Sequence, residues 1–339
     1  MFYPIKFIPV YKDYLWGGRN LEKLGRTLPE GIVAESWEVS AHPDGVSIVA
    51  NGKFAGRSLP ELLAEFGEQI VGTALPKIYA QQFPLLIKLI DANKKLSVQV
   101  HPDDDYARTH EGDCGKNEMW YIIAAEPGAE IIYGLIPGTT RDSLGEAVRE
   151  NRIESCLQTI PVAAGDVFNI PAGTVHGLGA GIVLVEIQQS SNLTYRLYDY
   201  NRTDARGNKR PIHIEKAMEV INFDSTGQAG KLADISEEEV PGLVKRQLIV
   251  DRYFEVDLYQ LDGETHETTA GRRFFCYTFM EGSGRFIYQG GTLQFKMAES
   301  VLIPAALKDY VIEGKAKFLK VSLPIEASKT NLVKRFISG

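Results

Sequence analysis

Most of the chain consists of short segments in which apolar and polar residues alternate, separated by Gly, Pro, Asn and Asp. Because successive side chains of a β-strand point to opposite faces, a period of two predicts half-buried strands. Typical segments are KLSVQVHP, AEIIYGL and GDVFNIPAG before residue 230, and FEVDLYQL, GRFIYQG and AKFLKVSLP after it. Such a series predicts an all-β fold with two β-rich halves, each a sandwich or barrel.

One of these segments, residues 96–101, alternates strictly. Its polar side chains Ser97, Gln99 and His101 fall on one face of the predicted strand. Its aliphatic side chains fall on the other face: Leu96, Val98 and Val100. We expect the aliphatic row to face a packed layer behind the sheet, and the polar row to face the interior of a barrel.

Helical periodicity is limited to a few segments of the first half. Ser58 is suited to cap a helix that begins SLPELLAEF, and the same spacing of apolar residues recurs over residues 141–160 and 212–223. These helices would be inserted in, or attached to, the first β-rich half.

The length of the chain predicts two domains. At 339 residues it exceeds the size of most single hydrophobic cores. Small and acidic residues near 224–242 indicate a linker. We therefore expect one domain over 1–228 and a second over 229–339.

The composition is that of a soluble globular protein, with 44% hydrophobic and 24% charged residues. The formal net charge of -7 argues against a nucleic acid or an anionic membrane as the partner. An anionic substrate would therefore be bound by a few local cations. Three widely spaced cysteines and an N-terminus without an apolar signal segment predict a reducing, cytoplasmic location.

The clearest functional motif is GDVFNIPAGTVHGL, in which Gly165, Pro171, Gly173 and His176 follow a G-x5-P-x-G-x2-H pattern. A turn that contains Pro and Gly reverses the chain tightly, and the strand after it directs His176 inward. The spacing resembles the second conserved motif of the cupin superfamily. That resemblance implies two cupin-type, jelly-roll β-barrel domains.

In cupins the first motif supplies further metal ligands, and the corresponding positions here are Gln99, His101 and, after a long loop, Glu118. Lys116 shares a strand face with Glu118 in KNEMWYIIAA. With His176, the set offers two imidazoles, a carboxylate and an amide oxygen. These groups suit a borderline divalent ion, and we expect one Zn2+ per chain.

Several motifs in order along the chain resemble the type I phosphomannose isomerase family in its short bacterial form: YLWGG, ESWEVSAHPDG, LSVQVHPD, KNEMWYI, PAGTVHGL and TYRLYDYNR. The resemblance runs from Tyr14 to about Phe223, and the C-terminal third resembles only a weak second cupin. It implies a zinc-dependent aldose-ketose isomerase that interconverts D-mannose 6-phosphate and D-fructose 6-phosphate.

The resemblance also implies roles for single residues. The metal ligands of the family match four positions: Gln99, His101, Glu118 and His176. Its active-site arginine and lysine match Arg196 and Lys116, and a serine of its pocket matches Ser97.

Isomerisation through an enediol makes oxygen atoms negative, and a Lewis acid or a fixed cation stabilises that charge. Three groups are candidates for the base that takes the proton: a zinc-bound water, Lys116 and a nearby carboxylate. Three cations are candidates for binding the substrate phosphate: Arg196, Lys116 and Lys88.

Some of these positions have simpler explanations. Lys88 interrupts the apolar run FPLLIKLID, so it either binds phosphate or extends its ammonium group to water. Gln99 is the weakest ligand of the set, since an amide is a poor zinc donor.

In the C-terminal half, ESVLIPAALKD repeats the turn at Pro304, but Asp309 stands where a ligand histidine would stand. We expect no metal there.

Two other functions also fit the sequence. One is a non-catalytic, metal-stabilised sugar-binding cupin. The other is an iron-dependent oxygenase with His101, His176 and Glu118 as a facial triad. Arg196 and Lys116 favour a phosphorylated sugar over oxygen chemistry.

Overall fold

A computed structural model of the chain describes residues 1–203, 207–225, 232 and 236–325. The strands of the N-terminal part are β1 (Ile5–Ile8), β2 (Val10–Lys12), β3 (Glu35–Val39), β4 (Ile48–Val49), β5 (Leu85–Ala92), β6 (Val98–Val100), β7 (Glu118–Ala125), β8 (Glu130–Leu135), β9 (Leu157–Pro161), β10 (Val167–Ile170), β11 (His176–Leu178), β12 (Ile182–Gln189) and β13 (Tyr195–Tyr198). Those of the C-terminal part are β14 (Ser236–Val240), β15 (Leu243–Val250), β16 (Glu255–Thr268), β17 (Phe275–Tyr288), β18 (Gly291–Lys296), β19 (Ser300–Ile303) and β20 (Asp309–Ser322).

Helices are short and lie mainly in the N-terminal part. The α-helices are α1 (Leu59–Phe66), α2 (Glu68–Val71), α3 (Asp104–His110), α4 (Arg141–Arg149) and α5 (Ile214–Val220). Short 3-10 helices cover Asn20–Leu24, Gly52–Phe54, Lys77–Ala80, Ile153–Cys156, Phe223–Ser225 and Ala305–Leu307. Within the described ranges, no helix has both the length and the apolar character needed to cross a membrane.

Two sheets of the N-terminal part face each other. The first has six strands in the order β10-β7-β12-β5-β3-β2, and the second has five in the order β13-β6-β11-β8-β9. Side chains from both sheets fill the space between them, among them Trp120 and Phe168 of the first sheet and Ile131 and Leu178 of the second. The mostly-β prediction is confirmed, but in the described part of the chain the sheets form an open sandwich instead of a closed barrel.

The C-terminal strands form a nine-stranded sheet that includes the first strand of the chain. Its order is β14-β15-β16-β20-β17-β19-β1-β4, and β18 pairs with β17. Ile5 of β1 lies opposite Leu302 of β19, so the start of the chain packs with the C-terminal half. Asp309 begins β20 and is exposed. The predicted boundary after residue 228 lies outside the described residues and stays a prediction.

The helical segments are shorter than their periodicity predicts. Ser58 caps α1 as predicted, because its Oγ accepts a hydrogen bond from a backbone N–H of the first turn. The helix predicted over 141–160 ends at Arg149 instead. Asn151 has a left-handed backbone conformation with a φ of 56°, through which a right-handed helix cannot continue. A 3-10 helix, Ile153–Cys156, follows, and the chain then enters β9, which pairs with β8.

The strand that carries the polar row is also shorter than predicted. Val98 and Val100 pack behind the second sheet, in a cluster with residues of α4 and α5. Leu96 lies between the two sheets instead, and its N–H donates to Leu178 O (2.9 Å). Because β6 begins only at Val98, the period of two does not extend to Leu96. The prediction that Leu96 faces the outer layer was wrong.

Candidate metal centre

Three of the predicted ligands meet where the two N-terminal sheets face each other. Glu118 begins β7 in the first sheet, and His176 begins β11 in the second, opposite Gln99 of β6. His101 directly follows β6. The ligand atoms of His101, Glu118 and His176 all lie within 4.8 Å of one another, and all three residues are buried. The fold thus assembles a cluster from three separate segments.

The turn at 171–173 holds the two histidine segments together. Gly173 has a φ of 85°, and a Cβ at this position would lie 3.0 Å from Val220 O, so the turn requires glycine. The Gly173 N–H donates to His101 O (2.9 Å). The predicted Pro-Gly turn therefore places His176 beside the segment of His101.

Both histidines present an unprotonated nitrogen to Glu118. His101 Nδ1 lies 2.7 Å from Leu193 O, and His176 Nδ1 lies 2.8 Å from Thr174 O. A carbonyl oxygen only accepts hydrogen bonds, so each Nδ1 carries the proton and each Nε2 carries a lone pair. Burial lowers the pKa of both rings, that of His176 to about 4. The rings are therefore neutral near pH 7, the form in which imidazole binds a metal.

The carboxylate of Glu118 faces both histidines. Its Oε1 is buried and has no hydrogen-bond partner among the described residues, although it lies 3.3 Å from His176 Nε2. Its Oε2 lies 3.5 Å from His101 Nε2. Burial and the negative charge of Glu186 raise the pKa of Glu118 to about 7. Glu118 Oε1 and His176 Nε2 turn lone pairs toward each other, which repel, and a divalent cation would remove that repulsion, so the donor set fits a metal ion.

Two further predicted residues border this cluster. Gln99 Nε2 lies 3.4 Å from His176 Nε2, so the amide faces the cluster and would present Oε1 after rotation of its terminal group. Lys116 Nζ lies 3.0 Å from His101 Nε2 and donates a hydrogen bond to Glu118 Oε2. The lysine ammonium therefore supplies positive charge on one side of the cluster.

A second group of buried charges lies next to the cluster. Lys88 of β5 is directly opposite Glu186 of β12, and its Nζ lies 2.9 Å from Glu186 Oε1 and 3.6 Å from Glu35 Oε2. Burial alone would lower the pKa of Lys88, but the two carboxylates raise it above its usual value. Only 4% of the Lys88 side chain is exposed, so the alternative in which its ammonium reaches water is wrong.

Glu186 and Glu35 are not among the site residues that the sequence predicts. Glu186 accepts a hydrogen bond from Trp120 Nε1 (3.1 Å), and its Oε1 lies 3.9 Å from Lys116 Nζ. Glu186 interrupts the apolar run GIVLVEIQQ in the same way that Lys88 interrupts FPLLIKLID. Two opposite charges in two buried strands are the signal that could have identified this pair.

A cavity of about 290 Å3 opens beside the cluster. Its walls include all four residues predicted to act on the substrate: Arg196, Lys116, Ser97 and Lys88. Arg196 Nε donates to Ser97 Oγ (3.2 Å), and its Nη1 donates to Pro211 O (2.7 Å). Because these two partners are neutral, they leave the guanidinium charge available to an anion.

Family models match both parts of the chain. The model described as phosphomannose isomerase type I, catalytic domain, matches residues 5–126, and that described as mannose-6-phosphate isomerase, cupin domain, matches residues 245–323. The chain is 38% identical over 315 residues to mannose-6-phosphate isomerase ManA of Bacillus subtilis, which covers 93% of this chain and 97% of that protein. It is also 38% identical over 304 residues to the mannose-6-phosphate isomerase of Streptococcus mutans, with coverage of 88% and 92%.

Solved structures resemble the whole fold. The crystal structure of the mannose 6-phosphate isomerase from Bacillus subtilis matches with a TM-score of 0.86 at 34% identity, over 94% of this chain and 99% of that one. A putative mannosephosphate isomerase from Archaeoglobus fulgidus shares the fold, with a TM-score of 0.74 at 21% identity and coverage of 94% and 97%. These matches confirm the predicted cupin-type architecture.

Proposed function

The chain belongs to the type I phosphomannose isomerase family, and on that premise we propose that it interconverts D-mannose 6-phosphate and D-fructose 6-phosphate. The observation that carries this proposal is the buried group of His101, Glu118 and His176 beside a cavity lined by Arg196. A metal site close to an available guanidinium suits a substrate that has both hydroxyl oxygens and a phosphate. Family membership also argues against the oxygenase and the non-catalytic binder.

The ion that we propose is Zn2+, held by His101, Glu118 and His176, with Gln99 as a fourth ligand through its amide oxygen. Two neutral imidazoles and a carboxylate are a donor set typical of catalytic zinc. When bound, the ion supplies Lewis-acid stabilisation to the oxygen that becomes negative during isomerisation.

The side chains of the cavity supply the remaining chemistry of the proposal. Isomerisation takes a proton from one carbon of the sugar and returns it to the neighbouring carbon, so a titratable group must reach the cavity. We assign this transfer to Lys116, which lies between the ligand cluster and Glu186. We assign the phosphate to Arg196, which Ser97 orients by its hydrogen bond to Nε.

The pair of Lys88 and Glu186 gives the cavity wall a fixed charge pattern. Burial favours the neutral form of Glu186, but the positive charges of Lys88 and Lys116 lower its pKa to about 2. The carboxylate is therefore ionised throughout the neutral range. Lys88 lines the same cavity, so its predicted contact with the substrate stays part of the proposal.

A coupled assay of the purified, zinc-loaded chain tests the proposed activity. We expect formation of fructose 6-phosphate from mannose 6-phosphate, and much slower conversion of mannose itself, because the phosphate provides the contact with Arg196. No formation of fructose 6-phosphate in the presence of zinc would contradict the proposal.

Replacement of Arg196 by alanine is expected to lower kcat/KM by about 10²-fold or more, because a fixed charge that meets a negative substrate group is lost. The zinc content should stay at the wild-type value, since Arg196 contacts Ser97 and Pro211 and not the ligand cluster. Arg285→Ala is the control: it removes an exposed arginine paired with Glu313 in the C-terminal sheet, and kcat/KM should not change. Near-normal kcat/KM in the Arg196 variant, or loss of its zinc, would refute the assignment.

We also propose that residues 1–228 form the catalytic domain and that residues 229–339 support it. The ligand cluster and every residue that lines the cavity precede residue 211. Within the described residues, the C-terminal half thus acts on the site through packing and through contacts with the segments that carry it.

A further inference from the structure

Four polar side chains outside the ligand cluster are joined in one hydrogen-bond chain: Asp104, Asn117, Gln189 and Tyr253. Gln189 lies at the end of β12 and is 7% exposed. Its Oε1 accepts hydrogen bonds from Asn117 N (3.0 Å) and Asn117 Nδ2 (2.7 Å). Its Nε2 donates to Asp104 Oδ1 (3.0 Å). The side-chain amide of Gln189 is therefore held through both its oxygen and its nitrogen. The hydrogen bond from the Asn117 backbone N–H determines which side carries the oxygen.

This chain connects the segments that carry the three ligand side chains. Asp104 lies three residues after the first ligand histidine, and Asn117 immediately precedes the ligand carboxylate. Asn117 Oδ1 accepts a hydrogen bond from the N–H of Ala172 (3.0 Å), in the turn before the second histidine. The side chains of Asn117, Gln189 and Asp104 thus join segments that are distant in sequence.

Backbone contacts leave little room for these segments to shift. The Gly115 N–H donates to Asp104 Oδ1 (3.0 Å), and the Lys116 N–H donates to Pro102 O (3.0 Å). A Cβ on Gly115 would lie 2.5 Å from Asp104 N, so the two segments touch directly at this point. The hydrogen bonds of Asp104 therefore act on segments that are already in contact.

The fourth member comes from the C-terminal half. Tyr253 lies in the loop between β15 and β16, and its hydroxyl donates to Asp104 Oδ2 (3.0 Å). Both oxygens of Asp104 are then occupied, one by groups of the N-terminal half and one by the tyrosine. The Tyr253 hydroxyl thus connects the C-terminal half to the segment that follows His101.

We infer that Asp104, Asn117, Gln189 and Tyr253 form a polar clamp that sets the spacing of His101, Glu118 and His176, and that the C-terminal half retains the ion through Tyr253. The four are positioning residues, because they act through the segments that carry the ligands. The inference rests on the ion binding proposed above. It gives the C-terminal half a role in holding the ion without any ligand of its own.

The rate at which the chain releases zinc to a chromogenic chelator tests the clamp. Full-length, zinc-loaded protein would be compared with Gln189→Ala, which removes the central amide, and with Tyr253→Phe, which removes one hydroxyl and keeps the ring. Loss of a group that orients metal ligands typically weakens metal binding by about 10- to 100-fold, so we expect release from Gln189→Ala to be faster by that factor. Tyr253→Phe should release zinc faster than wild type by a smaller factor.

Tyr259→Phe is the matched control. Like Tyr253, Tyr259 donates its hydroxyl to a carboxylate, Glu267 Oε1 (2.7 Å), but it lies in the C-terminal aromatic core. Its release rate should equal that of wild type even if its melting temperature falls. The Tyr253 variant keeps the test valid where the Gln189 variant folds poorly.

Two results would overturn the clamp while leaving the proposed function intact. One is zinc release at the wild-type rate in both clamp variants. The other is an equal acceleration in Tyr259→Phe, which would show general loosening of the fold. A wild-type chain that retains no zinc at all would overturn the proposed ion site, and the clamp with it.

Discussion

A variant with alanine in place of His176 is expected to lose its zinc and its isomerase activity together. His176 is fully buried, and its Nε2 lies 3.3 Å from Oε1 of Glu118, so the substitution removes a proposed ligand from the centre of the cluster. Lewis-acid stabilisation is worth several kcal/mol, and each 1.36 kcal/mol changes a rate tenfold. We therefore expect kcat/KM to fall by at least about 10³-fold, measured with metal analysis on the same preparation.

His266→Ala provides the control for this variant. The His266 side chain is 79% exposed on β16, and its substitution should change neither the zinc content nor kcat/KM. Circular dichroism would establish that the His176 variant is folded. A folded variant that keeps one zinc per chain, or loses less than tenfold in kcat/KM, would remove His176 from the ligand set.

Lys88→Met is expected to lower the free energy of unfolding by about 3–5 kcal/mol. Removal of one partner from a buried ion pair leaves an uncompensated charge, which costs that amount in typical proteins. The Lys88 side chain is 4% exposed, and it neutralises Glu186 and Glu35, which are 6% and 11% exposed. Methionine keeps the length and apolar stem of lysine, so the loss would come from the charge. Urea denaturation measures the change in the free energy of unfolding.

A second substitution separates the charge from the packing. Glu186→Gln in the Lys88→Met background removes one of the two carboxylates that lose their contact with Lys88, so it should recover part of the lost stability. Lys315→Met is the control, because the ion pair of Lys315 with Asp262 is exposed to solvent and contributes little to stability. If Lys88→Met destabilised the fold no more than the control, or if Glu186→Gln restored none of the lost stability, the buried charge pair would not be what stabilises this part of the fold.

The site could be predicted where one short segment contains both the structural signal and the chemistry. PAGTVH includes its own turn, and Gly173 has the positive φ that such a turn needs. Gln99 and His101 follow from alternation, because residues two apart share a face of a strand. The predicted polar face does border the site, since Ser97 and Gln99 line the cavity and His101 joins the cluster.

The rest depends on which distant segments pair, and a single sequence does not show this. Lys88 and Glu186 are 98 residues apart and become neighbours only because β5 pairs with β12. The hydrogen bond of Tyr253 with Asp104, 149 residues away, and the pairing of β1 with β19 have the same origin. The two local errors have local causes. Leu96 precedes the paired part of its strand, and the backbone at Asn151 ends a helix that its periodicity would continue.

We propose that isomerisation by this chain depends on an ion held by His101, Glu118 and His176. The most direct test measures zinc content and the rate of fructose 6-phosphate formation on one preparation, before chelation, after chelation and after zinc is added back. We predict one zinc per chain, a rate that falls in proportion to the zinc removed, and recovery when zinc returns. Full activity in a chelated preparation without bound metal would show that the reaction does not need the ion.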